Sequence, residues 1–176
     1  WQWQQIGDHI VGDRCDSGCG LYNDNYVSDG LGRSVSLSYD GKYVAVGAYM
    51  FVRVYEWQYI GGGSVWNPHY AADSFGFSSA STKLDEDGRY TGYAQISGDG
   101  NRLAVAAGSW RRADGGSAQG TQARLRVFER VPLSIETDYW VKLGADLPSV
   151  NAGWDGGRSP STSISQDGSI VSFSGG

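Results

Sequence analysis

The chain has 176 residues, 40% hydrophobic and 13% aromatic, with 27 glycines and a net charge of −5. That size and apolar content suit one domain, or part of one, with a packed core. The acidic balance argues against a nucleic-acid footprint, which needs a basic face. No apolar run is long enough to span a bilayer as a helix, and no long 3.6-residue periodicity marks an amphipathic helix. Glycine-rich turns between aromatic segments predict an all-β fold.

Residues 1–7, WQWQQIG, predict a strand. Residues 8–32 predict a long loop rich in Asp, Gly, Asn and Ser, holding Cys15 and Cys19. The Asp-Ser-Gly between them lets the chain turn back, so a local disulfide and an oxidising compartment are expected, with two free thiols as the plain alternative. Zinc is disfavoured, because no second Cys or His pair lies at ligand spacing. The absence of an initiating Met or signal peptide before Trp1 predicts a processed form or a segment of something longer.

A hairpin is expected over about 33–48, where Ser34 to Ala48 reads SVSLSYDGKYVAVGA. Val35 and Leu37 alternate with serines, as in a strand with one buried face. Asp40-Gly41 supplies the turn, because Gly takes positive φ without steric cost and Asp tolerates it. Strands follow over 50–56 and 57–61, and then a long excursion over 62–90. The hairpin returns over about 91–107 with Asp99-Gly100 in its turn. A Gly-rich loop spans 108–121, strands are expected at about 122–129 and 138–144, and a third excursion spans 145–158. A last hairpin covers about 160–174, with Asp167-Gly168 in its turn.

A second element also recurs: Trp3 to Gly7, Trp57 to Gly61 and Trp140 to Gly144 each read Trp, two residues, Ile or Leu, then Gly. Their fixed place predicts that Trp3, Trp57 and Trp140 pack between units. Four strands per unit, repeated along the chain, are the signature of β-propeller blades. The expected blades are 33–61, 91–144 and 160–176, two complete and one partial, with the N-terminal strand 1–7 beside them, in a single and incomplete propeller segment 1–176.

The string G-x-S-V-S-L-S-x-D-G-x-x-V-A-V-G-A, followed by V-R-V-Y and W-x-x-I-G, resembles FG-GAP, integrin-like propeller repeats. Such repeats occur in large secreted or cell-surface proteins of marine bacteria and of algae such as diatoms. The likeness is closest over 32–61, good over 91–107 and 122–144, and partial over 160–174. It implies a propeller fold, an extracellular or cell-surface location and a role in adhesion or surface assembly; it does not imply a catalytic activity. The Ca²⁺-binding repeats of that family carry a D-x-D-x-D-G loop. Here each turn has one Asp, too few oxygens for Ca²⁺, so Asp40, Asp99 and Asp167 are expected to be turn formers.

Chemistry-bearing motifs are sparse. His9 and His69 lie outside any metal spacing, and no nucleophile elbow, P-loop or dinucleotide fingerprint is present. Asp85-Glu86-Asp87-Gly88 is the best cation candidate, with Asp85 and Asp87 as weak Ca²⁺ ligands and otherwise a solvated acidic turn. No other cofactor is expected. Trp66, Trp110 and Trp154 are expected in loops, where aromatics serve as platforms for glycans or protein partners, or else fold over the rim as plugs. Arg124, Arg126 and Arg130 are expected on solvated strand edges. The expected function is a noncatalytic structural or adhesive protein, working by self-association or protein contacts. A carbohydrate-binding module is the first alternative, and a hydrolase with its site at the propeller channel the second.

Overall fold

The computed structural model describes residues 2–12, 30–48, 51–71, 89–109, 123–132, 139–148 and 160–174. The described residues form strands and turns, with no helix among them. The first sheet is β1 (Ser34–Leu37), β2 (Tyr43–Gly47), β3 (Val52–Ile60) and β4 (Gly63–Pro68), antiparallel and in chain order. β5 (Tyr70–Ala71) leaves that sheet and runs parallel to the outermost strand of the second. The second sheet places β6 (Arg89–Ile96), β7 (Arg102–Ser109), β8 (Arg124–Val131) and β9 (Tyr139–Pro148) in antiparallel order. The third is a hairpin of β10 (Ser161–Ile164) and β11 (Val171–Ser174).

The outer strands depart from the sequence expectation. Residues 50–56 and 57–61 do not form two strands: Val52 to Ile60 is one strand, whose Tyr55 to Ile60 pair with β4. No turn-forming residue sits between Glu56 and Trp57. The chain reverses only at Gly61 and Gly62, both left-handed at φ 61° and 90°. The fourth strand therefore falls at 63–68, inside the expected excursion. The first two units run 34–68 and 89–148 rather than 33–61 and 91–144. Residues 2–7 carry no strand. Gly7 is left-handed instead and lies against the rings of Trp57 and Trp66; a Cβ there would come within 2.5 Å of Trp57.

The three sheets stack face to face. β2 and β3 present Tyr43, Ala45, Val52 and Val54 to a core completed by Ala94, Ile96, Leu103, Val105, Phe128 and Trp140 of the second sheet. On the far face of the second sheet, Ala104, Ala106 and Leu125 meet Ile164, Val171 and Phe173 of the third hairpin. On the outward face of the first sheet, Val44, Val46 and Tyr55 are buried beneath Ile10, Leu31 and Trp66. Fully enclosing one such aliphatic or aromatic side chain stabilises the fold by about 1.5–3 kcal/mol.

The inner strands give the stack a direction. The later hairpin contributes large residues, Ile96, Leu103 and Val105 or Ile164, Val171 and Phe173, and the earlier one sets alanines against them, Ala45 beside Tyr43 or Ala104 and Ala106. In β1 the buried side is the serine side. Ser36 is buried, whereas Val35 and Leu37 are 60% and 54% exposed.

Candidate functional site

The three hairpin turns are built alike. Ser38 Oγ donates to Asp40 Oδ1 at 2.6 Å and accepts from the Tyr43 amide at 2.9 Å, while Asp40 Oδ1 accepts from the Lys42 amide at 2.9 Å. Ser97 and Asp99 make the same bonds with the amides of Arg102 and Asn101, and Ser165 and Asp167 with those of Ile170 and Ser169. Gly41, Gly100 and Gly168 close the turns at φ 71°, 71° and 69° by donating to the Ser38, Ser97 and Ser165 carbonyls. The carboxylates are thus occupied as turn formers. The Ser165 hydroxyl, then the amide and hydroxyl of Ser169, hold the Asp167 carboxyl down at about 2. The Ser38 hydroxyl and the Lys42 amide likewise lower Asp40. The serine two residues before each Asp is the partner that sequence reasoning missed, although Ser-x-Asp-Gly is legible in all three turns.

The turns also join the sheets. Tyr39 N donates to Gly98 O at 2.8 Å and Asp99 N to Gln166 O at 2.9 Å. In the first two turns the residue two positions after the turn glycine lies on the glycine of the next turn. A Cβ on Gly100 would stand 2.5 Å from the Tyr43 ring, and one on Gly168 would stand 2.8–3.0 Å from the Arg102 stem. Ser34 Oγ and Ser36 Oγ accept from the amides of Ala94 and Ile96 at 3.0 and 3.1 Å. Two serines of β1 thereby satisfy donors along β6, an edge strand whose amides would otherwise need another partner.

At one end of the first junction lies a cluster of titratable groups around Glu56, on the β3 face that looks toward the second sheet. Glu56 Oε1 accepts from Lys42 Nζ at 2.8 Å and Tyr43 Oη at 3.3 Å; its Oε2 meets His69 Nε2 at 3.0 Å and Gln58 Nε2 at 2.5 Å. Burial alone pushes this carboxyl up, but the bonds from Lys42, His69 and Gln58 outweigh it and bring it down to about 2. Glu56 in turn raises Lys42. Tyr43 carries the cluster across the junction, its ring edge-on to His69 and 4.8 Å below the Arg130 guanidinium. Arg130 is fixed by Gly100 O at 3.2 Å and Asn101 Oδ1 at 2.6 Å. The His69 side chain is fully shielded from solvent. The arrangement suits a clamp between sheets, with its carboxylate saturated by donors rather than open to a substrate.

A second polar hub ties β8 to β9. Arg126 grips Asp146 with two 2.9 Å bonds, Lys142 adds one at 2.7 Å, and Arg124 stands 3.6 Å away. Burial raises the Asp146 carboxyl, and Arg126 and Lys142 more than reverse that. The arginines expected at solvated edges are therefore cross-braces, with Arg124 itself buried.

The expected site residues separate widely. Trp66 is not in a loop: it sits on β4, its ring centroid 5.0 Å from that of Trp57. Trp110, Trp154, Asp85, Asp87, Cys15 and Cys19 lie outside the described residues. His9 is exposed and His69 buried. The recurring tryptophans occupy unequal places: Trp140 is fully buried between the sheets on β9, Trp57 lies on β3, and Trp3 is exposed. Gly7, Gly61 and Gly144 nonetheless share positive φ, 68°, 61° and 72°, so the recurrence encodes a bend rather than a common packing site. Among the described residues no three His, Cys, Asp or Glu side chains gather as a metal site. None of their helices could cross a membrane, since none occurs. Comparison with known protein families, with curated proteins and with solved structures gives no match to this chain.

Proposed function

We propose that this chain is a noncatalytic structural or adhesive protein of the cell surface or extracellular space, organised as propeller-type blades and acting through protein contacts. The observation that carries the reading is the directional stacking of its sheets. At both junctions large side chains of the later hairpin meet alanines of the earlier one, and the β1 side of the first sheet still shows Val35, Leu37 and the adjoining Tyr39 to solvent. Exposed apolar surface of this kind marks an interaction site more often than a catalytic one. The two titratable hubs support the same reading, because their charged groups are spent on each other. The Cys15–Cys19 pair and the acidic balance fit an oxidising, extracellular setting.

Sedimentation velocity over a dilution series tests the proposal. Oligomers that grow with concentration are the expected result. A chain that stays monomeric throughout and hydrolyses a polysaccharide or peptide would overturn it. Glycan binding is a second reading, favoured by the exposed rings of Trp3 and Tyr59. Since Trp66 is engaged by Trp57, binding that persists in Trp66→Ala and is lost in Tyr59→Ala would support it.

A further inference from the structure

We infer that the exposed β1 side of the first sheet's outward face, beside the β2–β3 patch that Ile10, Leu31 and Trp66 cover, receives the third hairpin of a second copy of this chain, so that copies join head to tail. The inference deepens the contact reading above and rests on it. It follows from three rules, the first and third found at both internal junctions and the second at the first junction, which the two outer faces are equipped to repeat.

The first rule concerns the turn glycines. Tyr43 lies on Gly100, and Arg102 lies on Gly168. The matching residue of the third turn is Ile170, which is 70% exposed. The matching glycine of the first turn is Gly41, where, among the described residues, a Cβ would meet only Leu37 of its own hairpin, at 3.6 Å. One face thus offers a protruding side chain, and the other an open glycine.

The second rule concerns the serines. Ser34 and Ser36 accept the amides of Ala94 and Ile96. Counted back from the turn aspartates, Ser161 and Ser163 of β10 stand where Ser34 and Ser36 stand in β1. Val35 and Leu37 of β1 stand where Ala94 and Ile96 stand in β6. The third hairpin therefore repeats the accepting chemistry of the first, and β1 repeats the donating positions of β6.

The third rule concerns size. The solvent side of the third hairpin carries Ser161, Ser163, Ser172 and Ser174, all exposed and small. The outward face of the first sheet carries Val35 and Leu37 in the open on β1, next to Val44, Val46 and Tyr55 under Ile10, Leu31 and Trp66. Large residues of the later hairpin meet alanines of the earlier one at both internal junctions. A foreign partner would have to match one of these faces, whereas a second copy matches both. The two faces differ, so the contact is heterologous: it closes a ring if the rotation per copy divides a full turn, and otherwise builds a filament.

Complementation between variants tests this. Val35→Asp/Leu37→Asp blocks one face, and Ile170→Asp blocks the other. Ser163→Trp is a second, independent block of the hairpin face. All four positions are exposed, and an unchanged unfolding midpoint confirms that each variant folds. In sedimentation velocity each variant alone is expected to lose the concentration-dependent association of the parent chain. An equimolar mixture of Val35→Asp/Leu37→Asp with Ile170→Asp is expected to regain one discrete dimer and nothing larger, since each copy retains the face the other lacks. If the parent associates but the mixture stays monomeric, or only the sheet variant abolishes association, the head-to-tail inference falls and the contact reading stands. A parent chain monomeric at every concentration overturns the head-to-tail inference, and overturns the contact reading as well if it also hydrolyses a polysaccharide or peptide.

Discussion

Every residue of β2 is buried, whereas β11 alternates between half-buried and exposed and Ile170 beside it faces solvent. Yet the turns that lead into these two strands share the same serine, aspartate and glycine bonds. Turn geometry is thus written locally, in four residues, while burial is conferred by whichever sheet lies alongside. The comparison separates two contributions that usually come mixed, and substitutions at matched positions can pull them further apart.

The largest contrast is expected in the core. Leu103→Ala, at a site with no exposure, should cost about 2–5 kcal/mol in urea unfolding. Ile164→Ala, on the half-covered third hairpin, should cost clearly less. Equal costs would mean that the third hairpin is as enclosed as the first junction.

Next come the turn serines. Ser97 has no exposure, and Ser97→Ala strands the partly buried Arg102 amide, so a loss of about 1–3 kcal/mol is expected. Ser165→Ala breaks the same bond in the open, where water replaces the hydroxyl, and should change the midpoint far less.

The glycines give a smaller difference. Gly41→Ala and Gly100→Ala both force a side chain into the left-handed region, a strain of about 1–2 kcal/mol. Only Gly100→Ala also displaces the Tyr43 ring, so it should be the more damaging of the two.

Acid unfolding offers the finest comparison. Glu56 is lowered from 4.5 to about 2, so its contribution is complete above pH 4.5 and disappears as the pH falls through about 2. Stability should decline less steeply over that window in Glu56→Gln than in the parent chain. Asp167 is lowered from 3.8 to about 2, but it is wholly exposed and its bonds compete with water. Asp167→Asn should alter the acid limb less than Glu56→Gln, and a reversal of that order would remove Glu56 from its role as a clamp.

The same division explains what the sequence disclosed. The Asp-Gly turns and the period-2 strands around them were legible, because both are local. The point where the first sheet reverses was not, since WQYIG reads equally well as a separate strand until Gly61 and Gly62 are seen to make the bend. The inward orientation of the β1 serines escaped the alternation rule: the rule finds two faces but not which one meets a neighbour. Glu56 and His69 are thirteen residues apart and meet only because the reversal at 61–62 folds β4 back on β3. Arg126 and Asp146 are likewise joined by the β8–β9 pairing, which no spacing in the sequence announces.

β5 carries a last consequence. Two residues that follow the first sheet in the chain lie along the rim of the second, with Ala71 in register with the enclosed Trp140. Fraying of β4 would therefore loosen the strap across its neighbour's outermost strand, and opening that strand would leave the strap without an anchor. The two large sheets are bound to melt together, giving one calorimetric peak whose van't Hoff and measured enthalpies agree over the pair.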